Sequence, residues 1–308
     1  MPEPLLIADV PWLLYRSFFA LPKSIVDADG KPVNALLGTV NALLSVLDAR
    51  SARAVVACMG AEQASYRVEL YPPYHAHRDP MPPELAAQWQ RAPRLLSSLG
   101  WVLATSEDLE ADDVMYSFAL SEQEHGGEAL LLSGDRDMFA VVSERVALIE
   151  LGKGSRLATI GPEQVRERYG VDPEQVADFI ALRGDPSDGL PGAPGIGAKT
   201  AAALLRAYGS LEALLGAAQA AGGERAELAS VTARAGTAPE ELRARTAAIL
   251  RESAALLSAF KQVATLQRID VEPPADRPTD FAAGASVARE MGMRRLAERL
   301  EKLSGATA

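Results

Sequence analysis

The 308-residue sequence has one cysteine, Cys58, three histidines and only 6% aromatic residues. A single cysteine cannot close an internal disulfide, which excludes the class of small secreted proteins held by disulfides. The shortage of cysteine and histidine also argues against a zinc centre. A hydrophobic core must therefore hold the fold, and 48% hydrophobic residues are enough to build one.

Long hydrophobic runs are missing as well. The apolar stretch near the N-terminus, "LLIADVPWLLYRSFF", is interrupted by Asp9, Pro11 and Arg16, whereas a membrane helix needs about 18 or more apolar residues. The N-terminus also lacks the basic segment and the small-residue cleavage site of a signal peptide. We therefore expect a protein of the reducing cytoplasm with no membrane contact.

Positive charge is scarce, because 31 Lys and Arg stand against 41 Asp and Glu and give a net charge of -10. Nucleic-acid-binding proteins usually carry a basic surface, so this total alone argues against a polyanionic partner. The objection loses its force if the acids cluster around divalent cations, because a bound metal reverses the local charge. The positions of the acids therefore decide the matter.

Four short apolar runs predict buried strands, at 5–9, 54–59, 101–106 and 129–135. Amphipathic stretches between them predict helices, for example at 36–50, 84–99 and 113–124. This alternation predicts an α/β fold with a mostly parallel central sheet flanked by helices. Ligands of such a sheet bind beyond the carboxyl ends of the strands.

Acidic residues follow three of these four strands. Asp9 ends the first run, "LEADDV" after the third contains Glu110, Asp112 and Asp113, and "SGDRDM" at the end of the fourth contains Asp135 and Asp137. Because the carboxyl ends of parallel strands meet at one edge of a sheet, we expect these six carboxylates to converge there.

From about residue 162 the pattern is helical, with an Ala- and Gly-rich loop predicted at 216–240 and an extended piece before one closing helix. Within this half, "GDPSDGLPGAPGIGAKT" at 184–200 places Asp185 and Asp188 at i, i+3 spacing. The glycines that follow let backbone amides approach a phosphate, and Lys199 adds charge at the start of the next helix. Ala198 separates Gly197 from Lys199, which excludes a Walker A loop.

Each of these acids alone has an ordinary explanation as a helix-terminal or turn residue. Together, eight carboxylates in four clusters would repel one another strongly unless cations neutralised them. Oxygen ligands without a Cys or His cluster favour Mg²⁺ or Mn²⁺ over zinc. Two such ions activate water and stabilise the leaving oxygen of a phosphoryl displacement, so the pattern predicts phosphodiester hydrolysis.

Five segments occur in a characteristic order: "LLIADVPWLLYRSFFALP", "SYRVELYPPYHAHR", "LEADDV", "SGDRDM" and "GDPSDGLPGAPGIGAKTAAALL". In this order they resemble the bacterial flap endonucleases, the 5' nucleases that occur alone or as the N-terminal domain of DNA polymerase I. The resemblance covers roughly residues 5–270, and because no polymerase sequence follows, it is to the stand-alone form. It implies a PIN-like 5' nuclease core with a helical arch and a helix-hairpin-helix subdomain.

The resemblance implies two metal sites with two or three Mg²⁺ or Mn²⁺ ions. The first site and its outer shell match Asp9, Glu110, Asp112 and Asp113, and the second matches Asp135, Asp137, Asp185 and Asp188, with Asp135 between the two. His75 and Arg78 of "YHAHR" complete the implied catalytic set.

The resemblance also implies how DNA is held. Residues 192–199 match a hairpin that grips duplex phosphates, often with a monovalent cation such as K⁺ on backbone carbonyls, and residues 60–98 match an arch for the 5' single strand. The segment "YRSFFALP" matches the part that packs against the opened duplex end. The implied DNA contacts are Tyr15, Arg16, Arg67, Tyr74, Gly192, Gly195, Gly197, Lys199 and Thr200, with Tyr66, Tyr71 and Arg78 supplying further charge and stacking faces. For the tyrosines, ordinary packing in a loop is the alternative.

Two departures from the family pattern affect the implied site. Met-Gly-Ala at 59–61 replaces Phe-Asp-Ala, so Gly60 lacks a carboxylate that a water or Glu62 would have to replace. His75 replaces a lysine expected at the scissile phosphate, and the charge of an imidazole depends on pH. We therefore expect weaker metal binding at the first site than in typical relatives.

The predicted domains are 1–165, the nuclease core with its arch at about 60–98, and 166–308, the helical DNA-binding subdomain with its hairpin at 189–200 and a closing segment. The leading hypothesis is a metal-dependent 5' nuclease that acts on DNA with 5' flaps, nicks or 5' ends in primer removal and repair. Two alternatives stay open: a junction-binding protein without catalysis, which Gly60 and His75 would explain, and a compact single-strand ribonuclease.

We expect a monomer associated with the nucleoid, with a polymerase or a sliding clamp as a candidate partner. The tail "EKLSGATA" contains no clear clamp-binding motif.

Overall fold

The computed structural model describes residues 3–152, 156–221 and 242–307, and the chain divides into two compact units. The α/β unit consists of Met1–Ala64, Asp79–Gly161 and Gln267–Ala308, and the helical unit consists of Ser65–Arg78 and Pro162–Leu266. Two segments group differently from the predicted domains. Residues 65–78 belong to the helical unit, and the C-terminal residues from 267 belong to the α/β unit.

The centre of the α/β unit is a six-stranded sheet. Its strands are β1 Leu5–Asp9, β2 Ala54–Met59, β3 Val102–Thr105, β4 Ala129–Leu132, β5 Val146–Leu151 and β6 Leu157–Ile160. They lie in the order β3-β2-β1-β4-β5-β6, and every pair is parallel except β5 with β6. The predicted mostly parallel sheet is confirmed, and β5 and β6 extend it.

The strand order reverses at β1, since the chain places β2 and β3 on one side of it and β4 on the other. In open α/β sheets a ligand site lies at such a switch point, beyond the carboxyl ends of the strands. Asp9 ends β1 and the acids of 133–137 follow β4, so acidic residues stand on both sides of the switch point.

Helices flank this sheet. In the α/β unit they are α1 Val10–Ala20, α2 Asn34–Ala49, α4 Pro83–Ser98, α5 Ala111–Glu124, α11 Phe281–Glu290 and α12 Arg294–Thr307, and in the helical unit α3 Ser65–Leu70, α6 Pro162–Tyr169, α7 Val176–Arg183, α8 Ala198–Tyr208, α9 Leu211–Ala220 and α10 Ala244–Ala264. Within the described ranges no helix is long and apolar enough to cross a membrane.

Helix α4 lies in the part of the sequence predicted as the arch, but it is a core helix. Leu85, Ala92 and Leu95 are fully buried in the main hydrophobic cluster, and α4 packs against α1, α2 and α11. Burial of a whole apolar face fixes this helix to the α/β unit. Only the residues before α4 are therefore available for an arch.

A buried carboxylate connects three helices of the helical unit to one another. Asp178 on α7 is 4% exposed, accepts a hydrogen bond from Leu211 N at 3.1 Å and pairs with Lys261 Nζ at 2.6 Å. This single side chain connects α7 to the start of α9 and to α10, which also packs against α3. Of the loop predicted at 216–240, residues 216–220 belong to α9, and most of the rest lies outside the described residues.

The extended piece predicted before the C-terminus is present and lies along α5. Three side chains spaced four apart on α5 bind it: Asp113 Oδ1 accepts from Gln267 N at 2.7 Å, Ser117 Oγ accepts from Ile269 N at 3.0 Å, and Ser121 Oγ donates to Val271 O at 2.7 Å. Because this spacing places them on one helix face, the segment is bound to the α/β unit.

The predicted closing helix is divided in two, which corrects the expectation of one continuous helix. Gly292 lies between α11 and α12 with φ of 78°, a conformation that favours glycine. A Cβ at this position would lie 2.7 Å from the Asp27 Cα. The chain therefore turns at Gly292, in close contact with the loop at Asp27.

Candidate active site and nucleic-acid interface

Asp9 is held at the carboxyl end of β1 by two hydrogen bonds. Its Oδ1 accepts from Trp12 N at 2.9 Å, which caps α1, and its Oδ2 accepts from the Ser133 hydroxyl at 2.7 Å. The pKa of Asp9 is raised to about 6, chiefly by burial; the two hydrogen bonds act in the opposite direction, and the charges of Asp112 and Glu110 contribute to the rise. Asp112 and Glu110 are therefore close enough to Asp9 for their charges to act on it.

Glu110 and Asp112 stand at the N-terminus of α5. Glu110 Oε1 accepts from Ala64 N at 2.8 Å, and Asp112 Oδ1 accepts from Asp113 N at 2.8 Å. Both residues are half-buried. The free amides and the dipole of the helix stabilise negative charge at this end, so α5 supports two carboxylates facing the same region as Asp9.

Asp113 has a different environment from Asp112. It is fully buried, and its Oδ1 accepts the hydrogen bond from Gln267 N. Its carboxylate therefore anchors the extended C-terminal segment to α5.

We expect Asp113→Ala to lower the free energy of unfolding by about 2 kcal/mol, because the Gln267 amide loses a charge-assisted acceptor. Asp113→Asn keeps an acceptor oxygen and should lose less than half of that amount. Urea unfolding in EDTA measures both, with Glu298→Ala on the exposed face of α12 as the control. Equal losses in the Ala and Asn variants would contradict the anchoring role.

Ser133 connects Asp9 to the acids after β4. Its hydroxyl donates to Asp9 and accepts from Asp135 N at 3.0 Å, and Asp135 Oδ1 accepts from Asp137 N at 3.1 Å. Asp135 is exposed and Asp137 is 8% exposed. The structure therefore brings the acids of β1 and β4 together through one hydroxyl, which the sequence pattern did not single out.

Among the residues described, no three His, Cys, Asp or Glu side chains converge closely enough to form a metal site by themselves. The donors nevertheless fit a hard divalent cation, since they are carboxylate oxygens. They include Asp9, whose pKa is raised by burial and by neighbouring negative charges. A cation placed here would relieve both effects.

Gly60 follows β2 at the position of the missing carboxylate. A Cβ on Gly60 would lie 2.5 Å from Leu109 O and 2.6 Å from Glu110 C, so the backbone before α5 fills this space. The suggested substitute, Glu62, is exposed and accepts a hydrogen bond from the Tyr15 hydroxyl at 3.3 Å.

Asp185 and Asp188 lie in the helical unit, in a tight loop after α7. Asp185 and Leu190 exchange two backbone hydrogen bonds of 2.8 Å, and Asp185 Oδ1 accepts from Ser187 N at 2.8 Å. The two aspartates are 8% and 9% exposed. The loop therefore holds both side chains in fixed positions.

Asp188 is paired with the segment before α4. Its Oδ1 lies 3.0 Å from His75 Nε2 and 3.2 Å from Arg78 Nη2. Burial raises the pKa of Asp188, but the hydrogen bond with His75 and the charges of His75, Arg78 and Arg67 outweigh it, so the pKa lies below its ordinary value. His75 thus contacts a carboxylate here.

The predicted DNA contacts of residues 65–78 differ in exposure. Arg67 and Tyr74 are only 2% and 3% exposed, and Tyr74 stacks on the His75 ring with centroids 3.7 Å apart. Tyr71 is half-buried and packs edge-on against Phe260, whereas Arg78 is exposed. Most of these aromatic and basic side chains therefore pack inside the protein, and Arg78 is the accessible cation among the four.

The hairpin between α7 and α8 combines a tight turn with an exposed surface. Gly192 has φ of 69°, and a Cβ there would lie 2.4 Å from Gly184 N. By contrast, Gly195 and Gly197 before α8 and Lys199 and Thr200 in its first turn are exposed. An exposed helix N-terminus with a lysine is suited to binding phosphate.

Helix α1 presents aromatic and basic side chains. Tyr15 is half-buried and Arg16 is exposed. Phe19, which was not among the predicted contacts, is 71% exposed and stacks on Tyr15 with centroids 6.4 Å apart. Helical spacing of Tyr15 and Phe19 is the signal that would have identified the pair.

Two family models match the chain: the 5'-3' exonuclease N-terminal resolvase-like domain over residues 4–170 and the 5'-3' exonuclease C-terminal SAM fold over residues 171–279. A 5'-3' exonuclease of Mycobacterium tuberculosis is 34% identical, over 94% of this chain and 97% of that protein. DNA polymerase I of Thermus thermophilus is 41% identical, over 68% of this chain and 25% of its own length. The chain thus spans about a quarter of that polymerase and nearly all of the exonuclease.

Solved structures share the fold. The bacteriophage T5 flap endonuclease in a complex with DNA and metal ions has a TM-score of 0.62 at 20% identity, over 98% of this chain and 99% of that chain. The catalytic core of Rad2 with a DNA substrate has a TM-score of 0.60 at 13% identity, over 94% of this chain and 88% of that chain. These likenesses confirm the PIN-like 5' nuclease fold, and with the two family models they lead to one conclusion: the chain belongs to the 5'-3' exonuclease family.

Proposed function

We propose that this protein is a structure-specific 5' nuclease, with flap endonuclease and 5'-3' exonuclease activity on DNA. The observation that carries the proposal is the group of acids at the edge of the sheet, where Glu110 and Asp112 act on the pKa of Asp9 and Ser133 joins Asp9 to Asp135. Membership of the 5'-3' exonuclease family supports the reaction. Primer removal in replication and excision repair are the processes that need it.

The proposed cofactor is Mg²⁺ or Mn²⁺, as two or three ions. Bound ions supply activation of water and stabilisation of the leaving oxygen during phosphodiester hydrolysis. The ligands we assign are Asp9, Glu110, Asp112, Asp135, Asp137, Asp185 and Asp188, with Asp113 behind them as an anchor. A bacteriophage T5 5'-exonuclease of the same fold with bound divalent metal ions, in that case zinc, supports a divalent metal.

Hydrogen bonds of this chain orient the proposed ligands. Trp12 N and the Ser133 hydroxyl fix the two oxygens of Asp9, and Ala64 N fixes one oxygen of Glu110. Ligands fixed in this way need little reorganisation when charge develops on the phosphate.

DNA binding is proposed for surfaces on each unit. The exposed start of α8, with Lys199 and Thr200, would bind duplex phosphates, and K⁺ on the hairpin carbonyls would assist it. On α1, Tyr15, Arg16 and Phe19 would pack against the opened duplex end. Arg78 would contact the 5' strand.

We further infer that the protein is a monomer. We place it at the nucleoid, in the cytoplasm, because the proposed substrate is chromosomal DNA. Flaps and nicks are produced by strand-displacing synthesis, so a polymerase or a sliding clamp is the proposed partner.

We expect a 5'-end-labelled flap substrate to be cut near the junction with Mg²⁺ or Mn²⁺ and not with EDTA. Asp135→Ala should cut at least about 10³-fold more slowly, because removal of a ligand costs several kcal/mol of charge stabilisation. Glu298→Ala, an exposed acid on α12, should cut like the wild type.

Tight flap binding by the wild type without cutting in either metal would overturn the nuclease and indicate a junction-binding protein. Equal rates for Asp135→Ala and the wild type would overturn the assignment of Asp135.

A further inference from the structure

Gly60 makes a close backbone contact that no amino acid with a Cβ could make. A Cβ there would meet three backbone atoms, Leu109 O at 2.5 Å, Glu110 C at 2.6 Å and Ala111 N at 2.7 Å, where real Cβ contacts essentially never fall below 3.0 Å. Because these atoms are main chain, they cannot turn away as a flexible side chain could. The end of β2 and the turn before α5 therefore approach each other only because residue 60 is glycine.

Two hydrogen bonds hold the same contact on the side of residues 61–64. Ala61 N donates to Leu109 O at 2.9 Å, and Ala64 N donates to Glu110 Oε1 at 2.8 Å. Residues 60–64 thus bind both the backbone and the carboxylate of the turn at 109–111. Since α5 begins here, this contact determines where Glu110 and Asp112 stand relative to Asp9 on β1.

We propose that Gly60 is a positioning residue: its bare backbone lets the turn at 109–111 close on β2 and so sets Glu110 and Asp112 against Asp9 for metal binding. The inference rests on the proposed function. It reverses the expectation drawn from the sequence, in which Gly60 marks only a lost carboxylate. In this chain a side chain at position 60 would displace Glu110 and Asp112, two proposed metal ligands, even if that side chain carried a carboxylate of its own.

The size of the displacement decides the expected effect. The turn would have to retreat by about 1 Å to reach ordinary van der Waals separation, whereas metal-ligand distances tolerate only about 0.2 Å. Changes that disturb the support of metal ligands typically weaken metal affinity by about 10- to 100-fold. We therefore expect both Gly60→Ala and Gly60→Asp to bind Mn²⁺ at least about tenfold more weakly than the wild type.

The test uses the full chain and Mn²⁺ alone, with free Mn²⁺ measured by electron paramagnetic resonance and with thermal unfolding in EDTA as a separate measure of folding. Gly216→Ala on α9 is the matched control, because a Cβ at Gly216 meets nothing within 4 Å. Its Mn²⁺ affinity should equal that of the wild type. A Gly60→Ala affinity equal to the wild type, or a Gly60→Asp affinity above it, would overturn the proposal.

A second variant tests the proposal even if Gly60→Ala does not fold. Ala64→Pro removes the amide that binds Glu110 Oε1 and also stiffens the backbone at this buried position. It should weaken Mn²⁺ binding in the same direction, with unfolding in EDTA as the check on its fold; an unchanged affinity would overturn the proposal. If the wild type itself binds no Mn²⁺, the proposed function fails and the inference fails with it. If the wild type binds Mn²⁺ and Gly60→Ala binds it equally well, the inference about Gly60 fails but the proposed function does not.

Discussion

Replacement of Asp9 by asparagine should abolish cleavage and at the same time stabilise the metal-free protein. Asparagine keeps an acceptor oxygen for Trp12 N, and its amide NH2 can donate to the Ser133 hydroxyl oxygen, which must then turn its own hydrogen away. The substitution also removes a charge that is buried beside Asp112 and Glu110. Burial and these charges raise the pKa of Asp9 to about 6, roughly two units above its ordinary value, which corresponds to at most about 3 kcal/mol. Loss of the anionic ligand should slow cleavage by at least about 10³-fold.

The stability difference between Asp9→Asn and the wild type should depend on pH. A carboxyl whose pKa is raised in the folded state destabilises the fold as it ionises, so the penalty is absent below pH of about 4 and is complete above about 7. Denaturation in EDTA should therefore find Asp9→Asn more stable than the wild type at pH 8 and equal to it at pH 4.

Asp29→Asn, at an exposed aspartate, serves as the control and should change neither stability nor cleavage. A variant Asp9→Asn that is less stable at pH 8, or that cuts at the wild-type rate, would contradict the role given to Asp9.

The arrangement of the acids could be predicted from local patterns. Apolar runs with acids at their ends predict strands, and the parallel sheet rule then places those ends together, as Asp9 and Asp135 confirm by sharing Ser133. The order of these motifs was enough to identify the family. Local pattern and chain order therefore predict which edge of the sheet carries the acids.

Non-local packing could not be predicted in the same way. The amphipathic pattern of α4 is the same for an arch helix and for a core helix, and only the burial of Leu85 and Leu95 distinguishes them. Likewise, the sequence indicates only a missing side chain at Gly60, because it does not say that Leu109 O will lie 2.5 Å from where a Cβ would be. Each of these depends on contacts with residues far along the chain.

Alanine at the hairpin glycines should separate folding from DNA binding, with the largest effect at Gly192. Gly192 combines φ of 69° with a Cβ position 2.4 Å from Gly184 N, so Gly192→Ala carries both backbone strain and a main-chain clash and should cost about 3–5 kcal/mol. Gly195 has φ of 76° but open space around it, so Gly195→Ala should cost only about 1–2 kcal/mol. Gly197 has φ of -87° and open space, but it is the N-cap of α8, where alanine is less favourable than glycine, so Gly197→Ala should cost about 0.5–1 kcal/mol.

Duplex affinity should follow a different order from stability. Gly197 precedes α8 on the exposed face of the hairpin, where a methyl group would keep phosphates away from the backbone amides. We therefore expect Gly197→Ala to lose the least stability of the three variants and yet bind duplex DNA about tenfold more weakly, as measured by fluorescence anisotropy at fixed salt beside urea unfolding. Gly216→Ala, at an exposed position inside α9, is the control for affinity; it should itself be more stable than the wild type by about 1 kcal/mol. If Gly197→Ala binds duplex DNA as tightly as the wild type, the start of α8 is not the duplex contact. If Gly192→Ala is as stable as the wild type, the turn is not closely packed. Each variant therefore tests one half of the hairpin's proposed role.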